Sequence, residues 1–308
     1  MYGLNPIQDI RRAVRAILTN QIARFAPGWY LQLTRETGRG SAEESVEDIA
    51  SYFEGCFADY FRVLEVDPGK IPGWLEGKRV LEYGPGDMPA VALLMLAHGA
   101  QEVICVDRFA MISLNKKNVG VLRRLIERLA APARSRAEDC FRARGEPESG
   151  FRQERLRHIV QPSGLSGLRD TADLVISRAV LEHTNDLSAT FADLHAALRA
   201  DGISVQKVDL RSHGLHRSNP LDFLTWPTWL WWLMYSGKGV PNRWRVDRYR
   251  RDLREQALQV MHLAPTALAE PRDVSAVRPH LAEPFRDLSD EDLSWLGFWL
   301  VCKRAPQD

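Results

Sequence analysis

The chain has no excess of either charge, no cysteine pair at ligand spacing and no long apolar run, and each absence removes a class of protein. Lysine and arginine total 41 against 40 acidic residues, a net charge of +1, which argues against a protein that neutralises phosphates along a nucleic acid. Cys56, Cys105, Cys140 and Cys302 stand far apart without a C-x-x-C pair. A zinc ribbon, a thioredoxin-like motif and any disulfide framework readable from spacing are thereby excluded, and a reducing, cytoplasmic location is expected. No apolar run approaches the ~20 residues that span a bilayer, and the N-terminus lacks the basic-then-apolar layout of a signal peptide, so the chain is expected to be soluble. Lysine is scarce: seven of the 41 basic residues, against 34 arginines. That bias suits carboxylate or phosphate recognition by guanidinium, although GC-rich coding produces it too. The 308 residues, 45% hydrophobic and 26% charged, are enough to bury a sizeable core in one large domain with attachments or in two modest ones.

Along the chain, Ile10, Val14, Ile17, Leu18 and Ile22 recur at helical spacing between Arg11, Arg12, Arg15 and Arg24, which predicts an amphipathic helix from Ile7 to about Leu33 with a basic face. A second helix is expected near Ser41, where Ser41-x-x-Glu44 has capping-box spacing, running through Phe61. The turns Asp67-Pro68-Gly69 and Pro72-Gly73 end it. Residues 1–76 therefore read as a helical N-terminal region that caps or packs on residues 77–308. Beyond Gly77, short β-branched runs alternate with helices, predicting a mostly parallel sheet. Strands are expected at Arg79–Tyr83, Glu102–Asp107, Arg157–Gln161, Asp173–Ser177, Ile203–Val208, Leu258–Leu263 and Phe298–Lys303. Two insertions are expected, at about 121–156 and 211–245. The first lies in a stretch, 121–160, with ten arginines and six acids.

The most informative run is Val80-Leu81-Glu82-Tyr83-Gly84-Pro85-Gly86-Asp87-Met88-Pro89, a strand ending in an acid and a glycine-rich turn into a helix. Asp87 is placed to cap that helix, Pro89 falls in its first turn and Gly99 closes it. Pro89 occupies the place of a third glycine, so the G-x-G-x-x-G dinucleotide fingerprint fails. A pyrophosphate here would meet the carboxylates of Glu82 and Asp87, whereas a ligand bearing an ammonium and a sulfonium would be stabilised by them. About 20 residues after the turn, the next strand ends at Asp107, whose carboxylate can accept hydrogen bonds from both ribose hydroxyls.

These segments resemble the class I S-adenosylmethionine-dependent methyltransferases. Four of them, Val80–Gly86, Val103–Asp107, Asp173-Leu174-Val175-Ile176-Ser177-Arg178-Ala179-Val180-Leu181-Glu182-His183 and Leu198-Arg199-Ala200-Asp201-Gly202, occur in family order and spacing over roughly residues 77–210. The resemblance implies an α/β fold: a Rossmann-like, doubly wound, seven-stranded, mostly parallel sheet. It also implies S-adenosyl-L-methionine as cofactor. By the same resemblance Glu82, Tyr83, Gly84, Pro85 and Gly86 line the methionine half, Asp107 with Arg108 beside it holds the ribose, and Ser177 lies by the sulfonium. The segment Ile159-Val160-Gln161-Pro162-Ser163 lacks the acid that binds adenine in many members, which leaves Gln161 or the backbone there for that role.

For the chemistry, His183 follows the fourth strand at the carboxyl edge of the sheet and neighbours Glu182; it is a candidate base, or a residue that shapes the pocket. Asp209, Arg211, His213 and His216 follow the fifth strand. His213 is the second candidate base, and His213 and His216 have i, i+3 spacing but no third ligand evident from spacing, so no metal site is expected. Trp226, Trp229, Trp231, Trp232 and Trp244 are five of the nine tryptophans. They suit an aromatic lid over the acceptor, in which Trp229 and Trp232 bind substrate, or a partner or membrane surface, or a packed helix. Glu182 and Arg243 are further substrate-binding candidates, Arg243 or Arg245 as an anchor for an acidic group. The reading is a methyltransferase acting on a small molecule, with nucleic acid not expected and membrane contact the lesser option. The alternative is a non-catalytic methyltransferase-like subunit that binds through its tryptophan-rich surface.

Overall fold

The computed structural model describes residues 6–26, 28–29, 44–238 and 241–305, the side chains of residues 6–8 apart. One sheet holds seven strands: β1 (Arg79–Tyr83), β2 (Glu102–Asp107), β3 (Leu156–Val160), β4 (Ala172–Arg178), β5 (Leu198–Asp209), β6 (Leu258–Leu268) and β7 (Trp295–Arg304). They lie in the order β3-β2-β1-β4-β5-β7-β6. β1 to β5 pair in parallel, and β7 runs antiparallel to both β5 and β6. This is the mostly parallel α/β sheet expected from sequence, with β5, β6 and β7 longer than their apolar runs.

Helices α1 (Pro6–Phe25), α2 (Val46–Val63), α3 (Ile71–Leu75), α4 (Ala90–Ala97), α5 (Lys116–Arg128), α6 (Ala133–Glu138), α7 (Leu187–Ala197), α8 (Thr228–Tyr235), α9 (Val246–Glu255), α10 (Pro271–Val277) and α11 (Asp290–Ser294) surround it. The central strands lack polar alternation because both faces are covered. Val80, Val103 and Cys105 point into a core shared with α2, α4 and α5, while Leu81, Tyr83, Ile104 and Val106 point into the opposite one with α7 and α9. Residues 121–128, expected as the start of a surface insertion, complete α5, whose Val121, Leu122, Leu125 and Ile126 are buried against the first core.

Ser45 caps α2, accepting from the Asp48 N–H at 3.1 Å; the expected cap Ser41 lies outside the described residues. Ile49, Phe53, Cys56, Phe57, Tyr60 and Phe61 then form the face that α2 buries on the sheet. Pro72 and Gly73, expected as a break, sit inside the short helix α3, where proline in the first turn loses no hydrogen bond.

The helix α1 corrects the sequence reading. Its large apolar residues Ile10, Val14 and Leu18 are exposed, and its buried face is Ala13, Ala16, Asn20 and Ala23. Small side chains let the helix lie close to α8, and Asn20 stitches the two: its amide donates to the Leu233 carbonyl at 2.9 Å and its oxygen accepts from the Gly237 N–H at 2.8 Å. A Cβ on Gly237 would stand 3.1 Å from the Asn20 carbonyl oxygen, tighter than an ordinary contact. Arg217 grips Asp9 through two hydrogen bonds of 2.9 and 2.6 Å. A third core thus joins α1 to residues 221–235 and to α10, with Leu221, Phe223, Trp226, Trp231 and Val277 at its centre. Among the described residues, no helix is long and apolar enough to cross a membrane.

Candidate active site

The turn after β1 is built by close approach. Gly84 and Gly86 have φ of +74° and +73°, and a Cβ on Gly84 would stand 2.4 Å from Val180 Cγ2. Only glycine fits there without strain. Pro85 between them is buried. Asp87 does not cap α4, which begins at Ala90 with Pro89 as an N-cap that makes no side-chain bond. Instead Asp87 is buried and accepts from the Asn118 amide at 3.2 Å, while the same amide donates to the Asp87 and Ser113 carbonyls at 3.1 and 2.8 Å. Asn118 thus ties the glycine turn to α5, a role with no signal in local sequence.

Two carboxyls flank the turn on neighbouring strands. Glu82 is 7% exposed, and burial pushes its pKa up to about 8 against hydrogen bonds from the Ala92 N–H and the Cys105 thiol. Asp107, at the tip of β2, is 8% exposed; burial raises its pKa too, opposed by backbone N–H groups that include that of Phe109, at 3.1 Å. Both sit at the carboxyl edge beside the point where strand order reverses between β1 and β4, the place where open α/β sheets bind ligands.

The remaining predicted cofactor residues take varied positions. Tyr83 turns to the opposite face, its hydroxyl oxygen filling the place of a Cβ on Gly164. Arg108 donates to the His183 carbonyl at 3.2 Å, joining the end of β2 to the turn after β4. Ser177 is buried and donates to Gln206, whose amide reaches Ser204 at 2.7 Å. The Gln161 amide donates to the Gly164 and Ser166 carbonyls, holding its own loop.

Beyond β4 and β5 the candidate chemistry converges. His183 and His213 face each other with ring centroids 5.1 Å apart. Glu182 is 1% exposed, and burial drives its carboxyl well above the usual range. One of its oxygens accepts from the Asp209 N–H at 3.3 Å, and the other, Oε2, is buried with no hydrogen-bond partner among the described residues. One ligand atom from each of Glu182, His183 and His213 lies within 4.8 Å of the others. Asp209 accepts from Arg211 at 2.8 and 3.0 Å and stands 3.6 Å from His213 Nε2. Burial alone would raise the Asp209 pKa, but the neighbouring His213 ring and the hydrogen bonds from Arg211 outweigh it and hold the carboxyl well below its ordinary value. The i, i+3 pair of the sequence is not the one brought together: His216 Nδ1 is hydrogen-bonded to Ser212, and His213, at φ +50°, turns to His183. Asn242, which sequence reading missed, pins the Leu181–His183 turn from the segment before α9. Its backbone N–H donates to the Glu182 carbonyl at 2.6 Å, and its amide donates to the Leu181 and Thr184 carbonyls at 3.0 and 3.1 Å.

The tryptophan segment divides. Trp226 and Trp231 belong to the third core, and the Trp231 indole donates to the Pro241 carbonyl at 3.2 Å, whereas Trp229 and Trp232 are 65% and 56% exposed. Arg245 is 1% exposed and donates to the Leu210 and Leu293 carbonyls at 2.9 and 3.0 Å, and Arg243 is not placed to anchor an acidic ligand at the surface either. It is 4% exposed, lies over the rings of Trp231 and Phe285 at 4.7 and 5.2 Å, and donates to the Phe223 and Trp226 carbonyls at 3.3 and 2.6 Å. Burial lowers its pKa to about 9. The aromatic neighbours that make this segment look like a ligand site instead enclose the guanidinium as part of the core.

A doubly wound sheet with an antiparallel seventh strand, and an acid–glycine turn beside a second acid on the next strand, define a Rossmann-like α/β protein. The family model described as "Methyltransferase domain" matches residues 69–263, and the chain belongs to that family, the class I S-adenosylmethionine-dependent methyltransferases. Among solved structures it is similar to an S-adenosylmethionine-dependent methyltransferase from Mesorhizobium loti, at 16% identity over 75% of this chain and 92% of that one, with a TM-score of 0.40. It is also similar to phosphoethanolamine N-methyltransferase 2 of Haemonchus contortus, in complex with S-adenosyl-L-methionine, at 12% identity over 81% of this chain and 53% of that one, with a TM-score of 0.44. No curated protein matches the chain.

Proposed function

We propose that this chain transfers a methyl group from S-adenosylmethionine to an oxygen or nitrogen of a small-molecule acceptor. The observation that carries the reading is the pair of buried carboxyls, Glu82 and Asp107, on either side of a turn where Gly84 leaves no room for a Cβ. A buried carboxyl suits an ammonium and a second suits a ribose diol, while both oppose a pyrophosphate. When bound, the cofactor supplies an electrophilic methyl carbon on a sulfonium. Gly84, Pro85 and Gly86 offer backbone to the methionine half, Asp107 accepts from the ribose hydroxyls, and Arg108 steadies the His183 turn that borders the cleft.

On the acceptor side, His183 and His213 act on the proton of the nucleophile, and Asp209 orients His213. Trp229 and Trp232 cover the acceptor, their exposure leaving both rings available to it. Placement of the acceptor in line with the methyl carbon supplies most of the rate. A net charge of +1 supports a small molecule over nucleic acid, and four cysteines carried as buried thiols support a reducing, cytoplasmic setting. The same two exposed tryptophans support a second reading, a non-catalytic subunit that binds a partner through them.

The test is incubation with methyl-labelled cofactor and fractionated cell extract. Label in the small-molecule fraction is expected. Label in nucleic acid or protein contradicts the acceptor class, and cofactor binding without any transfer favours the binding subunit.

A further inference from the structure

Glu182, His183 and His213 come from two loops at one edge of the sheet, the first pair from the turn after β4 and the third from the loop after β5. Each is held from outside the cluster. Asn242 clamps the Glu182 and Leu181 carbonyls, Arg108 binds the His183 carbonyl, and Asp209 lies beside the His213 ring. Two imidazoles and a carboxylate, with ligand atoms within 4.8 Å of one another, form the donor set of mononuclear sites that leave coordination positions open. An independent observation points to a ligand. Glu182 is 1% exposed, yet its Oε2 has no hydrogen-bond partner among the described residues, and a buried carboxyl oxygen in that state is costly unless a cation or donor meets it.

We infer that Glu182, His183 and His213 hold one divalent transition-metal ion, whose open positions receive an oxygen of the methyl acceptor. This rests on the methyltransferase reading for its purpose, but not for its geometry. Ligands each about 2.1 Å from an ion stand roughly 3–3.5 Å apart, so the ion would draw the three side chains inward from their present spacing. Imidazole ligands favour zinc, iron, nickel or copper over magnesium, calcium or manganese, which prefer oxygen. Asp209 then serves as the outer partner that fixes the His213 ring, an arrangement common among metal-bound histidines.

The ion also changes the chemistry proposed for the two histidines. A hydroxyl bound to it becomes more acidic; its O–H bond breaks, the electron pair stays on oxygen, and the proton passes to water. The imidazoles need not carry that proton, and the acceptor class narrows to molecules that offer an oxygen to a metal, such as a diol or a hydroxy acid. His216, bonded to Ser212, takes no part.

The test uses the full chain, stripped with a chelator and titrated with cobalt(II), whose visible absorption reports imidazole and carboxylate coordination. One ion per chain is expected, displaced by zinc. His213→Ala should weaken cobalt binding at least tenfold and Glu182→Gln likewise, with His216→Ala unchanged. His213 lies on a partly exposed loop, so its variant keeps the test usable if Glu182→Gln does not fold. Absence of cobalt binding by the wild-type chain, or equal affinity in the wild-type and His213→Ala chains, overturns the site. Calorimetric binding of S-adenosylhomocysteine by the same samples separates the two questions: its loss in the wild type counts against the methyltransferase reading, and its retention without cobalt binding counts against the metal alone.

Discussion

Replacing Glu82 with glutamine should remove a proton that cofactor binding releases. Burial pushes this carboxyl up to about 8, so at neutral pH it is mostly protonated. An ammonium arriving beside it favours the ionised form, and binding must therefore expel the proton. Between pH 6 and 7 the ionised fraction of a group with a pKa near 8 grows about tenfold, so wild-type affinity should rise about tenfold, or about 1.4 kcal/mol, over that unit. The window lies below the titration of the ligand's own amine, at about 7.7–8.0. Glu82→Gln should show a flat dependence there, with an affinity close to that of the wild type at pH 6. Calorimetry in buffers of different ionisation enthalpy measures the released proton directly. Stability in the absence of cofactor gives an independent check. Because the folded-state pKa lies above the ordinary 4.5, the unfolded chain binds fewer protons between about 4.5 and 8, and stability falls as pH rises through that window. The melting temperature of Glu82→Gln relative to the wild type should consequently increase with pH. Equal pH slopes for the two proteins, with no proton release, would refute the role given to Glu82.

Asp107→Ala should weaken cofactor binding by about 1.5–3 kcal/mol, the range for hydrogen bonds to a charged group, read by calorimetry on a protein with unchanged circular dichroism. Gly84→Ala forces a left-handed residue and a contact of 2.4 Å with Val180; a loss of about 2–4 kcal/mol in denaturant unfolding is expected, with cofactor affinity reduced. Asn20→Ala removes the bonds that join α1 to α8 and leaves the Gly237 N–H unmatched, which should cost about 1–3 kcal/mol in the same assay. Trp229→Ala and Trp232→Ala, at exposed positions, should change stability by no more than about 0.5 kcal/mol while lowering acceptor turnover at constant cofactor affinity; unchanged turnover in stable protein rejects the lid.

The strands were legible because β1, β2 and β4 are covered on both faces and so carry consecutive apolar residues in place of a polar–apolar alternation. The glycine turn and Asp107 were legible because a close backbone approach and a strand-end acid are local features. What failed were inferences that depend on a partner elsewhere in the chain. Apolar periodicity in α1 pointed to Ile10, Val14 and Leu18 as its buried face, whereas close packing on α8 favoured Ala13, Ala16 and Ala23. Asp87 had the right spacing for a cap, but Asn118 from another helix meets it first. Arg243 had the character of a ligand anchor until Trp231 and Phe285 enclosed it. His213 was paired with His216 by spacing, and only the convergence of the loops after β4 and β5 sets it beside His183 and Glu182.

The central claim is the identity of the cofactor, and the direct measurement is calorimetric titration of the purified chain with S-adenosylmethionine, S-adenosylhomocysteine and NAD. Micromolar dissociation constants for the first two, on the order of −7 to −8 kcal/mol, with no heat from NAD, are the predicted result. Tighter binding of NAD than of S-adenosylhomocysteine would contradict the account.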